Sequence, residues 1–481
     1  MKLPTLLKSL QKEEYKEFEK FLHSPFFKSS EQYLMFFRYL CKQHPSLVVE
    51  KADLEEAYLQ CFGDKTYSLQ KLYNLLSGLA HQVEQYLTIK MVMASKNGQE
   101  NPIHQWLLVR ALGERNMGAY FRAEAKRIIS EIEGRTVKSL EDYLLLQRMH
   151  HIVYFNPDTP KHQEQQPALQ QVLDNLDVFY YVAKLRYAAE MKARERIIDA
   201  KYELPMLQAV LGRTADTNLT DKHPLLDAYN KLIRLYLEGI TEEGFRALKV
   251  LFETKLALLP KSDQQALLLH LINMGISLGE RNLEMNADML ALYKLTIEAD
   301  ALLVGGRITH VTFANIVACA ALCKDFVWAK TFVQNYSLYL EDSKREATVA
   351  LSNAFLHYSM GQLDLAQERL SQSVFTTPSF DVVGRGLLLK IAFERYMNEG
   401  KDYEFLTGHM LAFEKFVMAK PFTPDKKEAQ LNCIRFARKL ALVKFEKLVV
   451  PAEEKKKLRS KLDELQPVVS KKWLAEKIES L

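Results

Sequence analysis

The chain has 481 residues, 48% hydrophobic, 26% charged and 10% aromatic, with a formal net charge of +5. Gly and Pro together make about 7% of it, against roughly 12% in average usage. These figures exclude a disordered, collagen-like or loop-rich chain and fit a folded helical one, long enough for several domains or one repeat array.

Apolar residues recur three and four apart throughout, and sustained alternation is hard to find, which predicts an all-α fold. Residues 11–22 place Tyr15, Phe18, Phe21 and Leu22 on one helical face, and Ser24-Pro25 stops that helix. Helices follow over 31–43, 51–61 and 68–94, the last two joined through Phe62-Gly63-Asp64. The polar stretch at 97–102 marks a domain boundary, so 1–100 reads as a small helical domain. The N-terminus lacks the apolar core of a signal peptide, because Lys8 interrupts Leu6, Leu7 and Leu10. No stretch of about 18 uncharged apolar residues is present, so no membrane contact is expected. The cysteine count, 5, is odd and low, which predicts reduced thiols in the cytoplasm.

From 103 to 420 the chain reads as helix hairpins. The clearest unit is 347–378, in which Tyr358 lies three residues before Gly361 and Ala366 five after it, with Pro378 closing the second helix. Ala354 and Ala366 are small enough for the paired helices to approach closely. This unit resembles a tetratricopeptide repeat, two antiparallel helices stacked on the next pair. The same offset of five recurs from Gly118 to Ala123, Gly239 to Gly244, Gly279 to Glu284, Lys324 to Ala329 and Gly400 to Phe405. From Gly239 onward the turns are spaced 37 to 45 residues apart, longer than the about 34 of a regular array. Further turns are expected near 157–160 and 202–205, and polar exposed loops at 156–167 and 212–224. Hairpins of this size bury their apolar faces only against neighbours, which implies an α-solenoid of irregular tetratricopeptide-like hairpins. Residues 421–481 read as a C-terminal helical cap with helices at 425–448, 453–465 and 470–480, the last carrying Trp473, Leu474 and Ile478.

Catalytic signatures are nearly absent. Gly275-Ile276-Ser277-Leu278-Gly279 matches the nucleophile-elbow pattern, but Ser277 sits near a helix end with no strand before it, so no catalytic residue is assigned and the chain reads as a non-enzyme. Cys319 and Cys323 are four apart, without the further ligands that zinc needs. No metal or cofactor is called for. His150 and His151 are adjacent, which puts one ring inside and one outside. Residues 51–87 have the outline of a helix-turn-helix, with Gln70, Lys71, Asn74 and His81 as polar reach. Residues 1–100 carry 13 basic and 12 acidic residues, however, a weak charge for phosphate. Residues 401–481 carry 18 basic and 12 acidic residues, the one basic surface, with the run 453–461 at its centre.

Tetratricopeptide arrays bind extended peptides or helices along the first helices of their hairpins. Counting from Gly361, the exposed first-helix positions here are Asn315, Tyr358, Lys390 and Glu394, the candidate partner-binding residues. They lack the cluster of Lys, Arg and Asn that clamps a C-terminal carboxylate in the best-known groove of this class.

The segments FEKFLHSPFF at 18–27, LLLKIAFE at 387–394, LNCIRFARKL at 431–440 and WLAEKI at 473–478 resemble an uncharacterised bacterial family of long tetratricopeptide-like helical-repeat proteins. The resemblance implies a helical-repeat fold in a bacterial cytoplasm and assigns no activity. Gly384-Arg385-Gly386 departs from it, pointing to close helix packing or a helix break there. The expected function is a protein–protein interaction scaffold or adaptor holding a protein or peptide. The alternative is a regulatory nucleic-acid binder using 51–87 and the basic tail.

Overall fold

The computed structural model describes residues 2–27, 29–63, 68–94, 101–157, 166–196, 201–215, 217–278, 283–371, 378–400, 403–446 and 450–481. Among them are 24 α-helices, and the only extended pairing is an isolated bridge between Val304 and Arg307. No helix of the described residues is long and apolar enough to cross a membrane. The chain divides into two compact units, Met1–Arg135 with Leu140–Asp177, and Thr136–Ser139 with Val178–Leu481.

The first unit comprises α1 (Lys2–Ser9), α2 (Glu14–His23), α3 (Glu31–Gln43), α4 (Lys51–Phe62), α5 (Leu69–Met93), α6 (Pro102–Glu114), α7 (Gly118–Glu133), α8 (Leu140–Phe155) and the start of α9 (Gln166–Glu195). Helices α3, α4 and α5 fall where apolar spacing predicts them. Helix α1 was not expected: it is short, and Leu3 and Leu7 hold it against a core that also contains Phe18, Phe36, Phe37 and Val83. In that core Phe37 meets Phe18 edge-on at 4.9 Å. Helices α3 and α5 approach so closely at Gly78 that a Cβ there would stand 1.9 Å from the Tyr33 hydroxyl. The boundary expected at 97–102 lies mostly outside the described residues. At its end, Asn101 accepts from the Ile103 N–H, capping α6, and donates to the Met91 carbonyl behind it. Helices α6, α7 and α8 bury a separate cluster of Val109, Phe121, Ala125, Ile128, Leu145 and Met149.

The second unit continues α9 and adds α10 (Leu207–Arg213), α11 (Thr217–Lys222), α12 (Pro224–Glu238), α13 (Glu242–Lys255), α14 (Lys261–Ser277), α15 (Leu283–Glu298), α16 (His310–Leu322), α17 (Phe326–Tyr336), α18 (Asp342–Ser359), α19 (Leu363–Ser371), α20 (Pro378–Glu399), α21 (Tyr403–Ala419), α22 (Pro424–Glu446), α23 (Ala452–Glu464) and α24 (Lys471–Glu479). From α11 to α22 each helix packs on the next, and α13, α16 and α18 also touch α15, α18 and α20. The stretch at 212–224 is not simply a loop. It contains α11, tied down because Thr214 and Thr220 are buried and Asn230 donates to the Thr214 carbonyl.

Three of the hairpin turns share one closing bond. The N–H of Asp325 donates to the Ala320 carbonyl, that of Gln362 to His357, and that of Met117 to Leu112. Each spans a left-handed residue, Lys324 at φ 60°, Gly361 at φ 75° and Asn116 at φ 55°, the geometry that satisfies a helix's last carbonyls. Five residues after these pivots stand Ala329, Ala366 and Phe121, all fully buried. The first turn therefore pivots on Asn116 rather than Gly118, and Ala123 is exposed. Gly244 keeps the offset from Gly239, because a Cβ there would lie 2.4 Å from Leu235. Phe405 and Glu284 are exposed, and Leu406 takes the core place expected of Phe405. Gly279 and residues 158–160 lie outside the described residues, whereas near 202–205 the turn falls at Pro205 and Met206. Helix α20 runs unbroken through Gly384-Arg385-Gly386, and a Cβ on Gly386 would meet nothing within 4 Å, so neither close packing nor a break explains that glycine.

Candidate functional site

Three of the four candidate residues come together, and the chain itself covers them. Tyr358 on α18 donates to Glu394 on α20 at 3.3 Å, and Lys477 of α24 pairs with the same Glu394 carboxylate at 2.5 Å. One turn back on α20, the Lys390 ammonium lies 5.6 Å from the centre of the Trp473 ring, also from α24. Trp473 meets Phe393 edge-on at 5.3 Å and sinks into the core with Leu474 and Ile478. All three candidates are half-buried where exposure was expected, because α24 packs over them. Burial, and then the Glu394 charge, push the Tyr358 phenol well above its usual pKa, so it stays a hydrogen-bond donor. A cavity of about 170 Å³ beside this group is lined by Gly386, Lys390, Phe413, Cys433 and Trp473.

Asn315 on α16 is half-buried and takes no part in that network. It shares a helical face with Val311 and Leu322, four before and seven after it, which are 51% and 48% exposed. The described residues leave those two apolar side chains about half exposed on that first-helix face.

A second polar group crosses α9, α12 and α14. Tyr229 donates to Asp263 at 2.7 Å, and Arg186 stands 3.5 Å from the same carboxylate oxygen. One or two turns along, His270 bonds the Tyr236 hydroxyl at 3.0 Å through Nδ1 and faces Glu190 at 3.7 Å through Nε2. Burial lowers the His270 pKa. Tyr229, Asp263, Tyr236 and His270 are all buried, so this seam fixes the register of three helices.

Ser277 ends α14 and donates its hydroxyl to the Met274 carbonyl at 2.8 Å. Cys319 is buried, its Sγ donating to the Asn286 carbonyl at 3.2 Å. No group of three or more His, Cys, Asp or Glu side chains among the described residues is placed to hold a metal. His150 is buried and His151 exposed. On α5, Gln70, Lys71, Asn74 and His81 face outward while Leu72, Leu75, Leu79 and Val83 are buried; residues 64–67 of the expected helix-turn-helix lie outside the described residues. On the basic tail Lys456, Lys457 and Lys461 are exposed, and burial together with the Lys461 ammonium holds Lys439 below its ordinary pKa.

Sequence reasoning missed the seam across α9, α12 and α14 and one further feature. A cavity of about 530 Å³ opens in the first unit between α6 and α8. Trp106, Arg110 and Glu114 line it from α6 at intervals of four; Gln147, His151 and Phe155 line it from α8 with the same spacing, beside Arg148. The guanidinium groups of Arg148 and Arg110 stand 5.0 and 5.5 Å from the Trp106 ring centre. The His151 ring lies 4.6 Å from that of Phe155, which is 55% exposed. Both rows are visible in the sequence as four-residue spacings, but nothing local says that they face each other.

Comparison of the chain with family models, with curated proteins and with solved structures finds no match.

Proposed function

We propose that the chain is a non-enzymatic adaptor, a solenoid of irregular tetratricopeptide-like hairpins whose first-helix face holds a helix of a partner protein. The docking of α24 carries this reading. Helix α24 contributes one aromatic anchor, Trp473, and one lysine a turn later, Lys477, to Lys390 and Glu394 on α20. A face that accepts a helix of its own chain in this way has the chemistry to accept another's, by an apolar anchor fixed with a few polar contacts. The open stretch for a partner is Val311, Asn315 and Leu322 on α16.

The test is purification of the tagged chain from its native lysate with nuclease present, read by mass spectrometry. A stoichiometric protein that survives nuclease supports the adaptor; partners that vanish with nuclease favour a regulatory nucleic-acid binder. That second reading is supported by the exposed lysines of α23 next to Lys439. Its contacts would weaken steeply with salt.

A further inference from the structure

The cavity between α6 and α8 is of the size that small-molecule sites have, about 300–1,000 Å³. Its charge is uneven. Arg110 is held by Glu114 at 2.7 Å, whereas half-buried Arg148 has no carboxylate partner among the described residues. The Trp106 ring steadies that guanidinium from its own side, leaving its donors for an anion. Phe155, 55% exposed, and His151 both line the cavity with their rings 4.6 Å apart, and the Gln147 amide offers one acceptor and two donors. A cation, an exposed aromatic ring and an amide in one pocket match a planar heterocycle joined to an anionic group.

We propose that this cavity binds a nucleoside 5′-monophosphate, the base against Phe155 with Gln147 at its edge and the phosphate at Arg148. A polynucleotide is disfavoured because the paired arginines of this unit make no basic track: Arg127 is matched by Glu124 and Glu131, and Arg135 by Glu131 and Asp142. An acidic peptide would use Arg148 and leave the ring face and the amide idle.

Titration calorimetry on the full chain tests the proposal, with adenosine, guanosine, cytidine and uridine 5′-monophosphates, inorganic phosphate and an oligoadenylate as probes. Saturable binding of at least one monophosphate is expected, about tenfold or more weaker in R148Q and about tenfold weaker in F155A. Phe155 is exposed and Arg148 carries no ion pair among the described residues, so both variants should fold, R148Q losing only the Trp106 contact; R148K, which keeps the charge without the fork, should recover only part of the binding loss. The proposal is overturned if no monophosphate binds up to millimolar concentration. It is equally overturned if inorganic phosphate binds as tightly, if the oligoadenylate binds more than about tenfold tighter than adenosine monophosphate, or if folded R148Q and F155A bind like the parent.

Discussion

The pair formed by Glu394 and Lys477 permits a quantitative test of how α24 is held. Their side chains are 18% and 15% exposed, at 2.5 Å. Replacing Lys477 by Met strands a carboxylate largely withdrawn from water, with one remaining hydrogen bond from Tyr358. Breaking a fully buried pair costs about 3–5 kcal/mol; with the remaining exposure, K477M should cost about 2 kcal/mol. E394Q keeps an acceptor for Tyr358 but strands the ammonium, at about 1–2 kcal/mol. In the double variant neither ion is stranded, so the combined loss should fall short of the sum by about 1–2 kcal/mol. Two compact units need not unfold together, so the measurement is amide exchange of α24 alongside urea unfolding of all four proteins. Losses additive to within about 0.3 kcal/mol, with α24 amides exchanging at the parent's rate, would refute the argument that this pair docks the helix.

Three other perturbations follow from particular positions. Gly386→Ala adds a methyl to open space inside α20, so it should stabilise the chain by about 0.5–1 kcal/mol in a thermal melt; a loss would mean that the helix needs the glycine. Lys324 and Gly361 occupy the same left-handed turn position, so Lys324→Gly should stabilise and Gly361→Ala destabilise, each by about 1 kcal/mol, and matching signs would contradict the shared geometry. Burial, with Lys138 and Lys222 nearby, pushes His223 down to about 4. The folded chain therefore resists a proton that the unfolded chain accepts near pH 6.5. The His223 contribution is complete above pH 6.5 and is lost as pH falls toward 4. It is at most about 3 kcal/mol, and roughly 1–2 kcal/mol once its partial exposure is allowed for. His223→Asn should flatten that part of an acid unfolding curve, and an unchanged slope would show that His223 is not involved.

Helix positions were legible where an apolar stripe is long and ends in a breaker, as at 31–43 and 68–94. The turn at Lys324 was legible too, because its spacing matches that of Gly361 even though the residue is not glycine. Short helices were not: α1 and α11 have too few turns to show a period, and tertiary burial of Leu3, Leu7 and Thr220 holds them. The pivot at Asn116 was misplaced by two residues because asparagine and glycine both serve a left-handed turn. Tyr358, Lys390 and Glu394 were singled out together, and they do converge. Their occupant, α24, lies about eighty or more residues downstream, and a contact of that range leaves no local pattern. The cavity beside Trp106 escaped for the same reason, since it needs two helix rows to face each other.

The most direct test of the adaptor is a comparison of partner capture by the parent chain and by V311D/L322D, with nuclease present, at low and high salt. Both side chains are about half exposed, so the variant should fold like the parent. A stoichiometric protein partner that the parent retains at high salt and the variant loses at both is expected. Equal capture by the variant, or capture that disappears with salt and nuclease, would contradict it.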